Sequence, residues 1–379
     1  MRHALPDIPG VLSSEEVDQT IDFVAGLQTA DGNIPWVPGG HTDPWNLVES
    51  IMALDVGGRI DEARLAYQWL ANKQLDDGGW HAYYIADAIK DPTRDTNISA
   101  YIANGIWHHF VTTNDLGYMR AQWPMVERAI DYVLSQQRET GEINWRSDDP
   151  DDGALLTGSS SIHSSIRCAI AIAEHVGCER PDWEISLASL AVAVAHRPEH
   201  FLNKNRWAMD WYYPILGGVL RGPSAQARLA GGWDSFVAYG RGVLCVSDAP
   251  WVTASETCEF VMALDALGDT HQAHDLFRWV QFLRDPETGG YYTGMNFPER
   301  KWEEIGEHFP VEQTAYTAAS VVLAANALVG TGPTAGLFRG ETLPVGLSAD
   351  ELLAAGVEIE RDRARARAHE AANATTPEQ

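Results

Sequence analysis

Lysine and cysteine are both scarce in this 379-residue sequence: Lys73, Lys90, Lys204 and Lys301 are its only lysines, and Cys168, Cys178, Cys245 and Cys258 its only cysteines. No two cysteines form a C-x-x-C pair, and so few thiols in a chain this long read as a reduced, cytoplasmic protein. Basic residues number 27 against 53 acidic ones, a net charge of −26. Such a surface repels nucleic acid and anionic membrane, and it lacks the clustered cations that hold free diphosphates. No uncharged apolar run reaches the roughly 18–20 residues of a membrane span. The nearest, residues 315–330, is Ala-rich, is interrupted by Asn326 and reads as a buried helix. The opening MRHALPDIPG has no apolar core, so no secretory signal is expected. Alternation with period two is rare, which argues against a substantial sheet.

What the sequence does have is tryptophan and repetition. The 14 Trp residues call for burial or for a site to line. A unit reading ARLAYQWLANKQLDDGGW spans residues 63–80, with versions at 21–36 and 129–145 and a weaker one at 276–292 in which Arg replaces Gln. Each is an amphipathic helix, then Gln28, Gln74 or Gln137, then an acidic Gly turn and Trp. Glycine supplies the positive φ after the helix end. The glutamine amide both donates and accepts, so it can tie helix end to turn. After each turn comes a helix apolar nearly all round, as a buried helix is. Six such helices begin near Asp43, Asp95, Ser159, Met209, Thr253 and Val311, with Asp43, Asp95, Ser159 and Thr253 as caps.

The pattern predicts an all-α fold, an (α/α)6 toroid of helical hairpins around a central pocket, over residues 15–330. Residues 1–14 are then an N-terminal extension. Residues 331–379 form a C-terminal extension with a charged helix and a disordered tail.

The helix–Gln–acidic–Gly–Trp unit resembles the QW repeat of the terpenoid cyclase and protein prenyltransferase superfamily, squalene–hopene cyclases in particular. That resemblance implies an isomerase or prenyltransferase acting on an isoprenoid. Asp149-Pro150-Asp151-Asp152 matches the DxDD motif with which these cyclases protonate an alkene, a task that needs a carboxylic acid held protonated in a dry pocket. The same four residues also read as a solvated turn. In the prenyltransferase comparison Glu256, Cys258 and His308 stand near the zinc ligands, although Gln313 replaces a histidine. Otherwise no cofactor is expected.

In a toroid all inner-helix N-termini open on one face. Asp43, Trp45, Asn46, Glu49, Asp95, Asn97, Tyr101, His163, Asp210, Tyr212, Glu256, Glu312 and Tyr316 converge there, with Trp36, Trp80, Trp145 and Trp251 as a rim. Asp95, Glu256 and Glu312 are the catalytic acids if the DxDD match is not. Asp43, Trp45, Tyr101, His163, Asp210, Tyr212, Trp251 and Tyr316 are the substrate-binding set, with His163 reading either as a proton shuttle beside an acid or as a satisfied structural residue of its inner helix. Acids among aromatic walls suit a carbocation pocket. They suit a carbohydrate site equally, with aromatics stacked on sugar rings and two carboxylates as acid and base or nucleophile. The expected partner is therefore a small molecule, isoprenoid or sugar. A third reading leaves the acids as helix caps in a non-catalytic binding toroid.

Overall fold

The computed structural model of the chain describes residues 4–297 and 312–344, together with 351, 353 and 354. Outer and inner helices alternate along the sequence. The hairpins pair α1 (Ser14–Gly26) with α2 (Pro44–Val56), and α3 (Ile60–Lys73) with the near-continuous α4 (Thr96–Ala100) and α5 (Ile102–Thr113). They continue with α6 (Leu116–Leu134) and α7 (Leu156–Val176), then α8 (Pro181–His196) and α9 (Ala208–Leu216). The last two are α10 (Gly222–Phe236) with α11 (Ala254–Ala266), and α12 (Thr270–Val280) with α13 (Ala315–Val329). The inner helices touch in the circuit α2–α5–α7–α9–α11–α13 and back to α2, which closes the toroid. The apolar run read as a buried helix is α13, buried on nearly every side.

The repeated glutamines clasp the outer ring. Gln74 Nε2 donates to the carbonyl of Gly78 in its own turn and to Met125 of the next outer helix, both at 2.9 Å. Gln137 repeats this with Gly141 and Ser186, and Gln28 with Gly32 and Glu62. The glycine is required because the turn lies against that neighbouring helix. Gly78 has φ +100°, and a Cβ there would come within 2.1 Å of the Arg128 carbonyl oxygen. Where Arg replaces Gln, Arg284 reaches α1 instead, bonding Gln19 Oε1 at 2.7 Å. The repeat is thus the device that joins successive hairpins and, through Arg284, closes the ring.

The unit does not stop at Gly330. Helix α14 (Pro333–Arg339) packs against α13, α11 and α5 at the C-terminal end of the inner helices. There Arg339 pairs with buried Asp265 at 2.7 Å and Thr334 meets His108 Nε2 at 3.1 Å. The charged segment expected further on lies almost wholly outside the described residues. At the other end, two small antiparallel sheets flank the mouth. One is β1 (His41–Thr42), β2 (Tyr83–Ile85) and β3 (Ala88–Asp91); the other is β4 (Val237–Ala238), β5 (Gly242–Leu244), β6 (Trp251–Thr253) and β7 (Gly294–Asn296). β1 leads into α2 and β6 into α11, so the strands set where those helices begin.

Candidate active site at the inner-helix N-termini

Asp43 is the hub of the mouth. As the N-cap of α2, its Oδ1 accepts from the Asn46 N–H at 2.9 Å. Its Oδ2 accepts from Trp36 Nε1 and Asn46 Nδ2, each at 2.8 Å. Burial still pushes its proton affinity up against those bonds. Trp36 packs on Tyr316 and His41, with ring centroids 4.7 and 4.3 Å apart, and His41 packs edge-on to Tyr83 at 5.0 Å. Tyr316 stands in the first turn of α13, where burial, then the charge of Glu256, then that of Asp43 raise its hydroxyl. Burial, then the charges of Asp43, Asp95 and Asp91, raise the Tyr83 hydroxyl. Asp95 caps α4 through the Ile98 N–H at 2.9 Å, and burial with the nearby Asp43 charge lifts it to about 6.

The floor lies further along the inner helices. Glu49 on α2 and Glu259 on α11 are buried and electrostatically coupled, and burial foremost drives both well above the usual carboxyl range. Tyr213 donates to Glu259 Oε1 at 2.6 Å, Tyr212 donates to the other oxygen, and Tyr101 reaches Glu49 at 3.5 Å. Trp45 stacks on Tyr101 at 4.4 Å. Glu259, Tyr213, His41 and Tyr83 were not among the expected site residues. The signal that would have marked Glu259 is an acid in an otherwise apolar helix, TCEFVMAL.

Asp43, Trp45, Tyr101, Asp95, Tyr212, Glu256 and Tyr316 lie in the first turns of the inner helices or on the floor below them, whereas other candidates are placed elsewhere. Asp149, Asp151 and Asp152 are exposed on a short 3-10 turn, with Asp152 accepting from Trp145 Nε1 at 3.1 Å. In water they lack the dry surroundings that alkene protonation requires. His163 is no proton shuttle: Nδ1 bonds the Gly217 carbonyl at 2.8 Å, and burial with Arg167 and Arg221 lowers its pKa to about 3. Its role is to join α7 to the end of α9. Asp210 accepts from Thr157 Oγ1 at 2.6 Å, linking α9 to the first turn of α7. Trp251, the first residue of β6, is buried beside Cys245, Val246 and Ala249 rather than on the rim. Glu312 leads into α13, where its backbone pairs with Thr293. Ser159 lies inside α7, whose N-cap is Leu155. Among the described residues no group of three or more His, Cys, Asp or Glu side chains is arranged to hold a metal ion. Cys258 is buried in the core, and burial raises its thiol. His308 lies outside the described residues.

The sequence has a counterpart in a known enzyme. The chain is 44% identical over 349 residues to the MMP endo-(1,4)-3-O-methyl-alpha-D-mannosidase of Mycolicibacterium hassiacum, covering 92% of this chain and 95% of that protein. The chain belongs to this mannosidase family. No family model matches it. Its fold is shared at low identity with solved structures of sugar-processing proteins. A wild-type glycosidase aligns with TM-score 0.66 at 14% identity, over 83% of this chain and 96% of its own. A D-mannose isomerase aligns with TM-score 0.62 at 11% identity, over 84% and 96%. A rhamnosidase from Klebsiella oxytoca aligns with TM-score 0.59 at 14% identity, over 83% and 64%.

Membership of the mannosidase family overturns the terpenoid cyclase and prenyltransferase resemblance, and with it the isoprenoid substrate and the isomerase or prenyltransferase chemistry. The Gln–Gly–Trp unit recurs because successive hairpins of a closed ring must be clasped, a requirement independent of reaction type. No single helix among the described residues is long and apolar enough to cross a membrane.

Proposed function

We propose that this protein is a glycoside hydrolase cleaving α-1,4 bonds within chains of 3-O-methylated mannose. Family membership supports the substrate class, and the ring of acids around Asp43 supports the chemistry. The observation that carries the reading is the placement of two acids at the starts of the inner helices on either side of α13: Asp43, the N-cap of α2, bonded to the Trp36 that packs on Tyr316, and Glu256 in the first turn of α11. Two carboxylates on different inner helices, converging on one aromatic-walled mouth, are the minimum for acid–base glycoside hydrolysis. Asp43, whose proton affinity burial raises, donates its proton to the leaving glycosidic oxygen as the bond to the anomeric carbon breaks. Glu256, more open to water, takes a proton from the water that attacks that carbon. Trp45, stacked on Tyr101, and the Trp36–Tyr316 pair present ring faces to the sugar.

The test is release of new reducing ends from a 3-O-methylmannose oligosaccharide. Asp43→Asn and Glu256→Gln should each lower kcat by a factor on the order of 10²–10⁴ while the protein still unfolds cooperatively. Full activity in both variants, or a wild-type chain that cleaves no α-mannoside, would overturn the reading.

A further inference from the structure

Beside the mouth lies a second concavity that the reacting pair does not use. It is a cleft of about 90 Å³ between the start of α4 and the first turns of α7. Asp95, Asn97, Thr157 and Ser159 form its polar lining, and Ile143, Leu155 and Ile162 its apolar lining. Asp95 belongs to both cleft and mouth, since its carboxyl feels the charge of Asp43.

Two polar atoms here lack a partner. Ser159 is 1% exposed and its Oγ makes no hydrogen bond, and the buried Oδ1 of Asn97 makes none either. An unsatisfied buried polar atom is costly, so native proteins keep few unless something else bonds them. A hydroxyl-bearing ligand in the cleft would satisfy both. The apolar lining imposes a second condition, because a bare sugar hydroxyl set against Ile143, Leu155 and Ile162 gives up water and gains no partner. A methyl ether at that point gives up much less.

We propose that this cleft is a subsite for a mannose residue next to the cleaved bond. Ser159 and Asn97 bond its hydroxyls, and Ile143, Leu155 and Ile162 receive its O-methyl group. The cleft, not the reacting pair, then selects methylated over unmethylated chains. The proposal rests on the mannosidase reading for the substrate class and adds where methylation is read.

Leu155 suits the test because it is the N-cap of α7 and its side chain makes no capping bond. Leu155→Asn places a favoured capping residue there while making the cleft polar. Binding of matched methylated and unmethylated α-1,4-mannose oligosaccharides would be measured by calorimetry on the full chain, alongside kcat/KM for each. Wild type should prefer the methylated chain. Leu155→Asn should reduce that preference by about tenfold, the scale on which an apolar pocket reads one carbon. Ser159→Ala should weaken binding of both chains together. A Leu155→Asn variant that keeps the full methyl preference, or a wild type with none, overturns the subsite. A wild type that binds methylated chains selectively through Leu155 yet cleaves nothing leaves the subsite standing and removes the hydrolase reading instead.

Discussion

Glu49 and Glu259 occupy the same register of a repeated segment, Glu-Ser-Ile-Met-Ala-Leu-Asp on α2 and Glu-Phe-Val-Met-Ala-Leu-Asp on α11. α13 lies between these two helices in the ring. The shared register puts both glutamates on the floor of the pocket and both terminal aspartates, Asp55 and Asp265, at the far end. Each aspartate is buried against a basic partner: Asp55 against His109 Nδ1 at 2.8 Å, and Asp265 against Arg339 at 2.7 Å.

The floor pair makes stability depend on pH. Both glutamates hold their protons more tightly when folded than unfolded, with burial as the main cause. The native state therefore binds more protons over the interval between the ordinary carboxyl range and the raised values. The stability they contribute is full below that interval and declines as pH rises through it. The melting temperature should fall from about pH 5 to about pH 9, and Glu259→Gln should flatten the decline. An unchanged slope in that variant would show that the pair ionises without cost.

The far-end ion pair should matter to stability and not to catalysis. Arg339→Ala strands the buried Asp265 carboxylate without its partner. Removing one member of a buried pair costs about 3–5 kcal/mol, read as a lower denaturant midpoint. The hydrolytic rate per folded molecule should not change, because α14 sits at the opposite end of the inner helices from Asp43.

The outer-ring clasp offers a graded comparison. Gln74→Ala leaves the Gly78 and Met125 carbonyls without their donor, a cost of about 1–3 kcal/mol. Gly78→Ala should cost more, since the added Cβ would meet the Arg128 carbonyl oxygen at 2.1 Å in a backbone conformation that alanine resists. Thermal melts order the two. If Gly78→Ala proves milder than Gln74→Ala, the turn can move away from α6 and the clasp is looser than its geometry indicates.

The toroid and the end of it that carries the site were legible because both follow from local pattern. Apolar helices alternate with amphipathic ones, and caps such as Asp43 and Asp95 announce where the inner helices begin. The chemistry was legible only as alternatives, of which the carbohydrate site with paired carboxylates is the one family membership supports; the Gln–Gly–Trp turn, which pointed to the other, reports how hairpins are joined and says nothing of what the pocket holds. Glu259 carried a local signal, an acid in an otherwise apolar helix, but its bond from Tyr213 joins α11 to α9 and is visible in neither segment alone. His163 was left between proton shuttle and structural residue for the converse reason. Its position on an inner helix is visible in the sequence, but its bond to the Gly217 carbonyl is made by the return of a distant turn.

The Asp149–Asp152 turn separates a motif from its setting. Asp151 is exposed, so Asp151→Asn should retain full activity. Asp152 differs because it accepts from Trp145 Nε1, and Trp145 lines the cleft beside Asp95. Arg146 lies 5.1 Å from the Trp145 ring centroid and steadies the same indole. Asp152→Ala frees the ring edge while leaving Asp43 and Glu256 in place, so KM for the methylated chain should rise about two- to tenfold, the effect of losing one solvent-exposed hydrogen bond, with kcat nearly constant. Equal losses in kcat and in kcat/KM would instead place Asp152 in the chemical step, and the acidic turn would then have to approach the mouth during turnover.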